Sequence, residues 1–182
     1  GEWNGQHCWL KKGHGRVDLG KALQESCNLA FLVWVQVSAD RWRRFYGEGV
    51  ARLRLEEVFG PFLGDRLKAG DTLPPFGPEW IGDGELLRTS PEAMLRWMLD
   101  PHQEEAMRQC RRYLLGFTGN MIREKTWWAK TGTAPVPGAP GETSAWVAGS
   151  NGDVTCVLRL PRGKGRSDGL ARFRALMKIP GK

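Results

Sequence analysis

The chain has 182 residues, 41% apolar and 26% charged, and 27 Lys and Arg against 20 Asp and Glu give it a net charge of +7. Those proportions are ordinary for globular proteins and exclude disordered and fibrous classes; the length suits one domain burying roughly two-thirds of its unfolded surface. The basic excess falls in short groups, Arg41 with Arg43 and Arg44, Arg111 with Arg112, and Arg162 with Arg166, without the interleaved aromatics or binding module that nucleic acid requires, so nucleic acid is not an expected partner.

The chain starts at Gly1 with no basic-then-apolar leader, so any signal or anchor segment is expected upstream. Asp18 precedes Leu19, Ala22 and Leu23 at helical spacing and reads as the N-cap of a helix reaching about Ser26. A second helix begins near Asn28, and the all-round apolar stretch Leu29 to Val35 predicts burial on most sides. Continued to Val37 and interrupted by Gln36, this run is far shorter than the roughly 20 residues that cross a bilayer. Ser26 therefore falls at a helix junction. Asp40 is placed to cap a short helix to Tyr46 closed by Gly47, and Leu53 to Leu63 predicts another piece ending at Gly64.

Between Gly70 and Gly84, Pro74-Pro75 and Gly77-Pro78 predict a surface loop. Ser90-Pro91 supplies an N-cap and a first-turn proline for a helix whose core face is Met94, Leu95, Trp97 and Met98. Pro101 opens a further helix that Gly116 ends. The period then changes to two: 126–133, 144–149 and 154–160 predict strands, the last pair joined by a tight Asn151-Gly152 turn. A closing helix from about Asp168 to Met177 carries Leu170, Phe173, Leu176 and Met177 on one face. A helical region followed by an antiparallel sheet and a closing helix predicts an α+β fold, taken as one domain over residues 1–182.

Cys8, Cys27, Cys110 and Cys156 show no CxxC spacing and have too few histidines near them to suggest zinc, so neither a metal nor another cofactor is expected. In an oxidising compartment they permit disulfides in three connectivities, with Cys8 and Cys27 the first pair to consider; buried free thiols are the plainer reading. His7, His14 and His102 share no spacing with acidic or thiol partners and read as surface or loop residues. Gly15 to Lys21 satisfies G-x-x-x-x-G-K, but Ala22 replaces the hydroxyl and Lys11, Lys12 and His14 precede it instead of an apolar strand; a phosphate loop is excluded on both counts. Trp9, Trp34 and Trp146 lie in apolar contexts that favour packing, while the strand alternation of Trp127 and Trp128 turns one of them toward a substrate groove.

Acyl transfer from a D-alanyl amide requires an activated serine, a general base, donors for the oxyanion and a cation for the substrate carboxylate. Ser26-Cys27-Asn28 and Lys130-Thr131-Gly132-Thr133 stand in the order of the S-x-N and K-T-G elements of penicillin-interacting enzymes. Each is short, and a serine at a helix junction is ordinarily a cap. Their flanks are more specific. Cys8-Trp9, Gly13 to Leu19, Ala22-Leu23 and Ser26-Cys27-Asn28 resemble the run leading into S-x-N in class B penicillin-binding proteins of the elongation type. Ile81 to Leu86 with Thr89, Ser90-Pro91 and Met94 resembles the Gly-rich loop and helix preceding K-T-G there, and Trp127 to Ala134 is similar to the strand bearing that motif. Ala145 to Gly149, the Asn151-Gly152 turn and the closing helix look like the sheet edge and last helix of the same transpeptidase fold.

The resemblance implies that Ser26 relays a proton to the leaving amine and Asn28 hydrogen-bonds the substrate amide. It implies that Lys130 sets the electrostatics around Ser26 and the carboxylate, that Thr131 and Thr133 bind that carboxylate, and that the Thr133 N–H is an oxyanion donor. Gly132 lets the substrate backbone approach. Ser26, Ser38, Ser90, Ser144, Ser150 and Ser167 are followed three positions on by Leu29, Arg41, Ala93, Val147, Asp153 and Leu170, so the chain holds no S-x-x-K. That element precedes S-x-N in the family and is expected upstream of Gly1; residues 1–182 alone are not expected to be active.

The implied function is penicillin binding and serine D,D-transpeptidase chemistry on peptidoglycan in the cell wall, with stem peptides or β-lactams as partners. Carboxypeptidase, β-lactamase and sensor relatives stay open, as does a non-catalytic peptide-binding module of the same fold. The implied location is periplasmic or otherwise extracytoplasmic, with an upstream segment as the place for any membrane tether.

Overall fold

In the computed structural model, which describes residues 1–3, 5–63, 89–115 and 127–179, capping chemistry sets the helix starts. The Asp18 side chain accepts the Lys21 N–H at 2.8 Å and opens α1, Leu19–Glu25. The Ser90 hydroxyl accepts the Ala93 N–H at 3.1 Å, with Pro91 in the first turn of α4, Pro91–Leu99. Both starts are those the sequence predicts. The chain divides into two units, Gly1–Thr89 and Ser90–Lys182, each described by itself.

The first unit opens with a hairpin of β1, Glu2–Trp3, and β2, Gln6–His7, strands too short for periodicity to reveal. The Trp3 indole N–H donates to Gln36 Oε1 at 3.0 Å and ties the hairpin to α2, Asn28–Tyr46. Helix α2 is continuous, which corrects the predicted break near Asp40. No Pro or Gly interrupts it, and Asp40 pairs along the surface with Arg43 at 3.3 Å instead of capping a new start. Gly47, at φ 86°, stops it, and α3, Glu48–Leu63, follows and packs against it. Leu32 and Ala39 of α2 and Ala51 and Leu55 of α3 are buried; a leucine so placed contributes about 1.5–3 kcal/mol. Burial on most sides of α2 is not reached: Leu29, Phe31, Val33, Trp34 and Val35 are half-buried and Val37 is exposed. Gly64, the 70–84 stretch and Gly116 lie outside the described residues.

The second unit is built on an antiparallel sheet in the order β3, Trp128–Pro135, β4, Thr143–Ser150, and β5, Thr155–Leu160. Register pairs Lys130 with Ala148 and Thr133 with Ala145. Residues 151–154 join β4 to β5 in a four-residue loop, longer than the predicted two-residue turn. Asn151 Oδ1 accepts the N–H groups of Asp153 and Val154, and Gly152 takes φ 103°. A 3-10 turn, Pro101–Gln103, leads into α5, Glu104–Leu114, which packs against β3, while α4 packs against β5. A π-turn, Gly165–Gly169, runs into the closing helix α6, Leu170–Leu176. Trp127, Ala129, Val147, Leu170, Phe173 and Ile179 form the core there, with Met177 packed against it. Leu176 is 48% exposed and leaves the predicted apolar face. Six α-helices and two small antiparallel sheets among the described residues make the fold α+β.

Candidate functional site

Ser26 occupies the left-handed region at φ 53°, ψ 49°. The Cys27 N–H donates to Ala22 O at 2.9 Å and the Ser26 N–H to Leu23 O at 3.4 Å, the bond pair of a Schellman turn whose left-handed position is ordinarily glycine. A serine there carries strain of about 1–2 kcal/mol, a cost that persists where surrounding contacts over-determine the backbone and that clusters at functional sites. Two of those contacts converge on the Ser26 carbonyl, which accepts the Asn28 N–H and the Trp9 indole N–H, each at 3.0 Å. Trp9 is 63% exposed, which corrects the expectation that it packs inside: its ring lies edge-on to His14, 5.3 Å between centroids, with its N–H spent on the junction. Asn28 is exposed at the first turn of α2, and Ser26 is half-buried.

In the second unit, strand alternation sends Lys130 and Gly132 to one face of β3 and Thr131 and Thr133 to the other. Lys130 is largely buried beside Cys110 of α5, and its ammonium donates to Thr131 O at 3.1 Å. Burial pushes its pKa down to about 8, against a smaller upward pull from Cys110. The Cys110 thiol is in turn raised by burial and pulled back by Lys130. Thr133 is exposed, and its hydroxyl oxygen accepts the Gly165 N–H at 3.0 Å. That bond fixes the rotor and leaves the hydroxyl proton to be donated elsewhere. A side chain at Gly165 would overlap the Gly132 carbonyl, so the π-turn approaches the motif strand only because residue 165 is glycine. At exposed Gly132 a Cβ would meet only ordinary contact, with Trp146 Cβ at 3.6 Å. Packing among the described residues therefore does not demand that glycine. Trp127 and Trp128 are both buried: Trp127 precedes the strand and packs edge-on to Phe173 at 5.7 Å.

Lys21 donates its ammonium to His14 O at 2.8 Å and to Arg16 O at 3.5 Å, so the lysine of the G-x-x-x-x-G-K run folds back on the segment before its helix. A third group was not signalled by spacing. Cys8 Sγ, His14 Nδ1 or Nε2 and Cys27 Sγ lie within 4.8 Å of one another, with Cys8 Sγ 3.0 Å from His14 Nδ1. His14 lies in a loop, one of the two settings predicted for it, yet is buried there, flanked by Gly13 and Gly15 at φ 71° and 66°. Its Nε2 is buried with no hydrogen-bond partner among the described residues, and Glu25 Oε2 stands 3.6 Å away. Two thiols and an imidazole are the donor set that tetrahedral Zn²⁺ prefers, at about 2.3 Å to sulfur and about 2.0–2.1 Å to nitrogen. With Nδ1 turned to the thiols, Nε2 points toward Glu25 at 3.6 Å, beyond hydrogen-bond length but on the side where a carboxylate partners a metal-ligating imidazole. Three protein donors leave one tetrahedral position for water.

No protein-family model matches this chain, no curated protein matches it, and no solved structure matches it.

Proposed function

We propose that the chain carries the proton-relay and substrate-holding residues of a penicillin-binding, serine D,D-transpeptidase-type acyl transfer on peptidoglycan D-alanyl peptides, the nucleophile belonging to an S-x-x-K element outside residues 1–182. The observation that carries this reading is Lys130, a largely buried lysine whose pKa is pushed down to about 8 on the K-T-G strand. A lysine so placed costs stability and is matched to sharing a proton or meeting a carboxylate near neutral pH. Thr133 adds a hydroxyl held from behind by Gly165, and Gly132 leaves the strand open to a substrate backbone. The resemblance assigns the relay to Ser26, which is strained at its junction, and the substrate amide to Asn28, which is exposed. Fluorescent penicillin added to the full-length polypeptide tests the reading: covalent labelling is expected, and Lys130→Ala should abolish it. A full-length protein that takes no label, or labelling undiminished in Lys130→Ala, defeats the assignment.

A second reading, metal binding at Cys8, His14 and Cys27, has its own observation in the gathered donor set. There the ion would anchor the residue between Ser26 and Asn28. Elemental analysis after purification without chelator is expected to give one zinc per chain, lost in His14→Ala; absence of zinc after reconstitution sinks this reading and leaves the first intact.

A further inference from the structure

Two of the three cluster donors are thiols drawn from separate segments, Cys8 just after β2 and Cys27 at the start of α2. Cys8 is half-buried and Cys27 is 5% exposed, so an incoming reagent meets Cys8 first. Cys8 Sγ also has a proton acceptor at hand in His14 Nδ1, 3.0 Å away. We infer that Cys8 and Cys27 are a thiol–disulfide exchange pair whose oxidised form excludes metal from the cluster; the exclusion rests on the metal reading above, whereas the pairing does not.

The chemistry balances with a small-molecule or protein disulfide as oxidant. The Cys8 thiol passes its proton to His14 Nδ1, and its sulfur attacks one sulfur of the donor disulfide, expelling the first donor thiolate. The Cys27 sulfur then attacks Cys8 in that mixed disulfide and the second donor thiolate leaves. Two protein thiols become one disulfide, and the donor takes up both electrons and both protons as two thiols. The disulfide removes two of the three ligands, and a bound ion removes both nucleophiles, so the two states compete. Either state adds a covalent or coordinate link between the segment before His14 and the residue next to Ser26; the reduced, metal-free state holds them by weaker bonds such as that from the Trp9 indole to Ser26 O.

The test is to incubate the reduced protein with glutathione disulfide, with and without zinc, then alkylate and map peptides by mass spectrometry. Without zinc, a linked peptide pair joining Cys8 to Cys27 is expected. With zinc at about 100 times its Kd, loss of these two thiols should slow about a hundredfold, while Cys110 and Cys156, in the other unit, react at unchanged rates. Cys8→Asp, which keeps a ligand but cannot be oxidised to a disulfide, should retain zinc under the same oxidant, whereas the parent releases one zinc per disulfide formed. Failure of the pair to form without zinc overturns the inference whatever the metal result, as does a disulfide that forms with zinc still bound. A disulfide in a protein that never binds zinc sustains the pairing and overturns the metal reading alone.

Discussion

Replacing Lys130 with Met should stabilise the protein at neutral pH, the opposite of the usual effect of altering a buried residue. Burial holds the lysine at about 8 against an ordinary 10.5. Between those values the unfolded chain binds more protons than the folded one, so wild-type stability rises with pH through this window. Below it the buried cation carries its full penalty, about 3 kcal/mol at about 1.36 kcal/mol per pKa unit. The variant also loses the ammonium bond to Thr131 O, worth about 1 kcal/mol, and the lysine's other contacts, which leaves a net gain of at most about 2 kcal/mol at pH 7. Urea melts followed by tryptophan fluorescence should show a midpoint higher for Lys130→Met, by about 1 M at most. That advantage should vanish as pH climbs from 8 to 10.5. Cys110, raised by burial and pulled back by Lys130, contributes an opposing slope above its ordinary 9.0 that changes when the lysine is removed, so both proteins carry Cys110→Ser and the difference between their curves isolates the lysine. Parallel curves from pH 8 to 10.5, or a less stable variant at pH 7, would refute the burial argument and remove the observation on which the acyl-transfer reading rests.

Ser26→Gly should raise stability by about 0.5–1 kcal/mol, since relief of about 1–2 kcal/mol of left-handed strain outweighs the extra chain entropy of glycine; a lower urea midpoint counts against the Schellman assignment. Gly165→Ala should cost more than 2 kcal/mol, because its Cβ must push the π-turn off the Gly132 carbonyl, and a calorimetric melt unchanged from wild type would contradict that packing. Zinc at about 100 times its Kd should stabilise the reduced protein by about 2.7 kcal/mol, an effect that His14→Ala should erase in thermal melts.

The parts of the fold legible in the sequence are those fixed by local chemistry. Asp18 and Ser90 announce their helices because a short acceptor before a helical pattern has one efficient use, satisfying the first free N–H groups. Alternation located three strands to within a few residues. Asp40 misled for the same reason that Asp18 informed: a capping residue is also tolerated mid-helix once a cation such as Arg43 sits one turn on. Of the candidate site, Ser26, Asn28 and Lys130 to Thr133 were legible as motifs. The third group was not, since positions 8, 14 and 27 match no ligand spacing, and it is assembled by tertiary turns at Gly13, Gly15 and the Ser26 junction. The one local signal was Gly13-His14-Gly15, a histidine flanked by two residues free to adopt positive φ.

Within Ser26-Cys27-Asn28 the middle residue has a role the motif pattern leaves blank. Ser26 is half-buried and Asn28 exposed, while Cys27 is buried against Ala22 and Ala30. The outer two side chains are therefore less buried than the central one, which packs into the core and holds the backbone between them. A left-handed serine is stable only while that anchor and the two hydrogen bonds on its carbonyl persist. Anything that fixes Cys27 more firmly narrows the conformations open to Ser26, and anything that releases it lets the serine relax toward the more favourable right-handed or extended regions. The thiol cluster and the proposed relay residue are thus coupled through a single peptide unit, with no contact between cluster and substrate needed for one to act on the other.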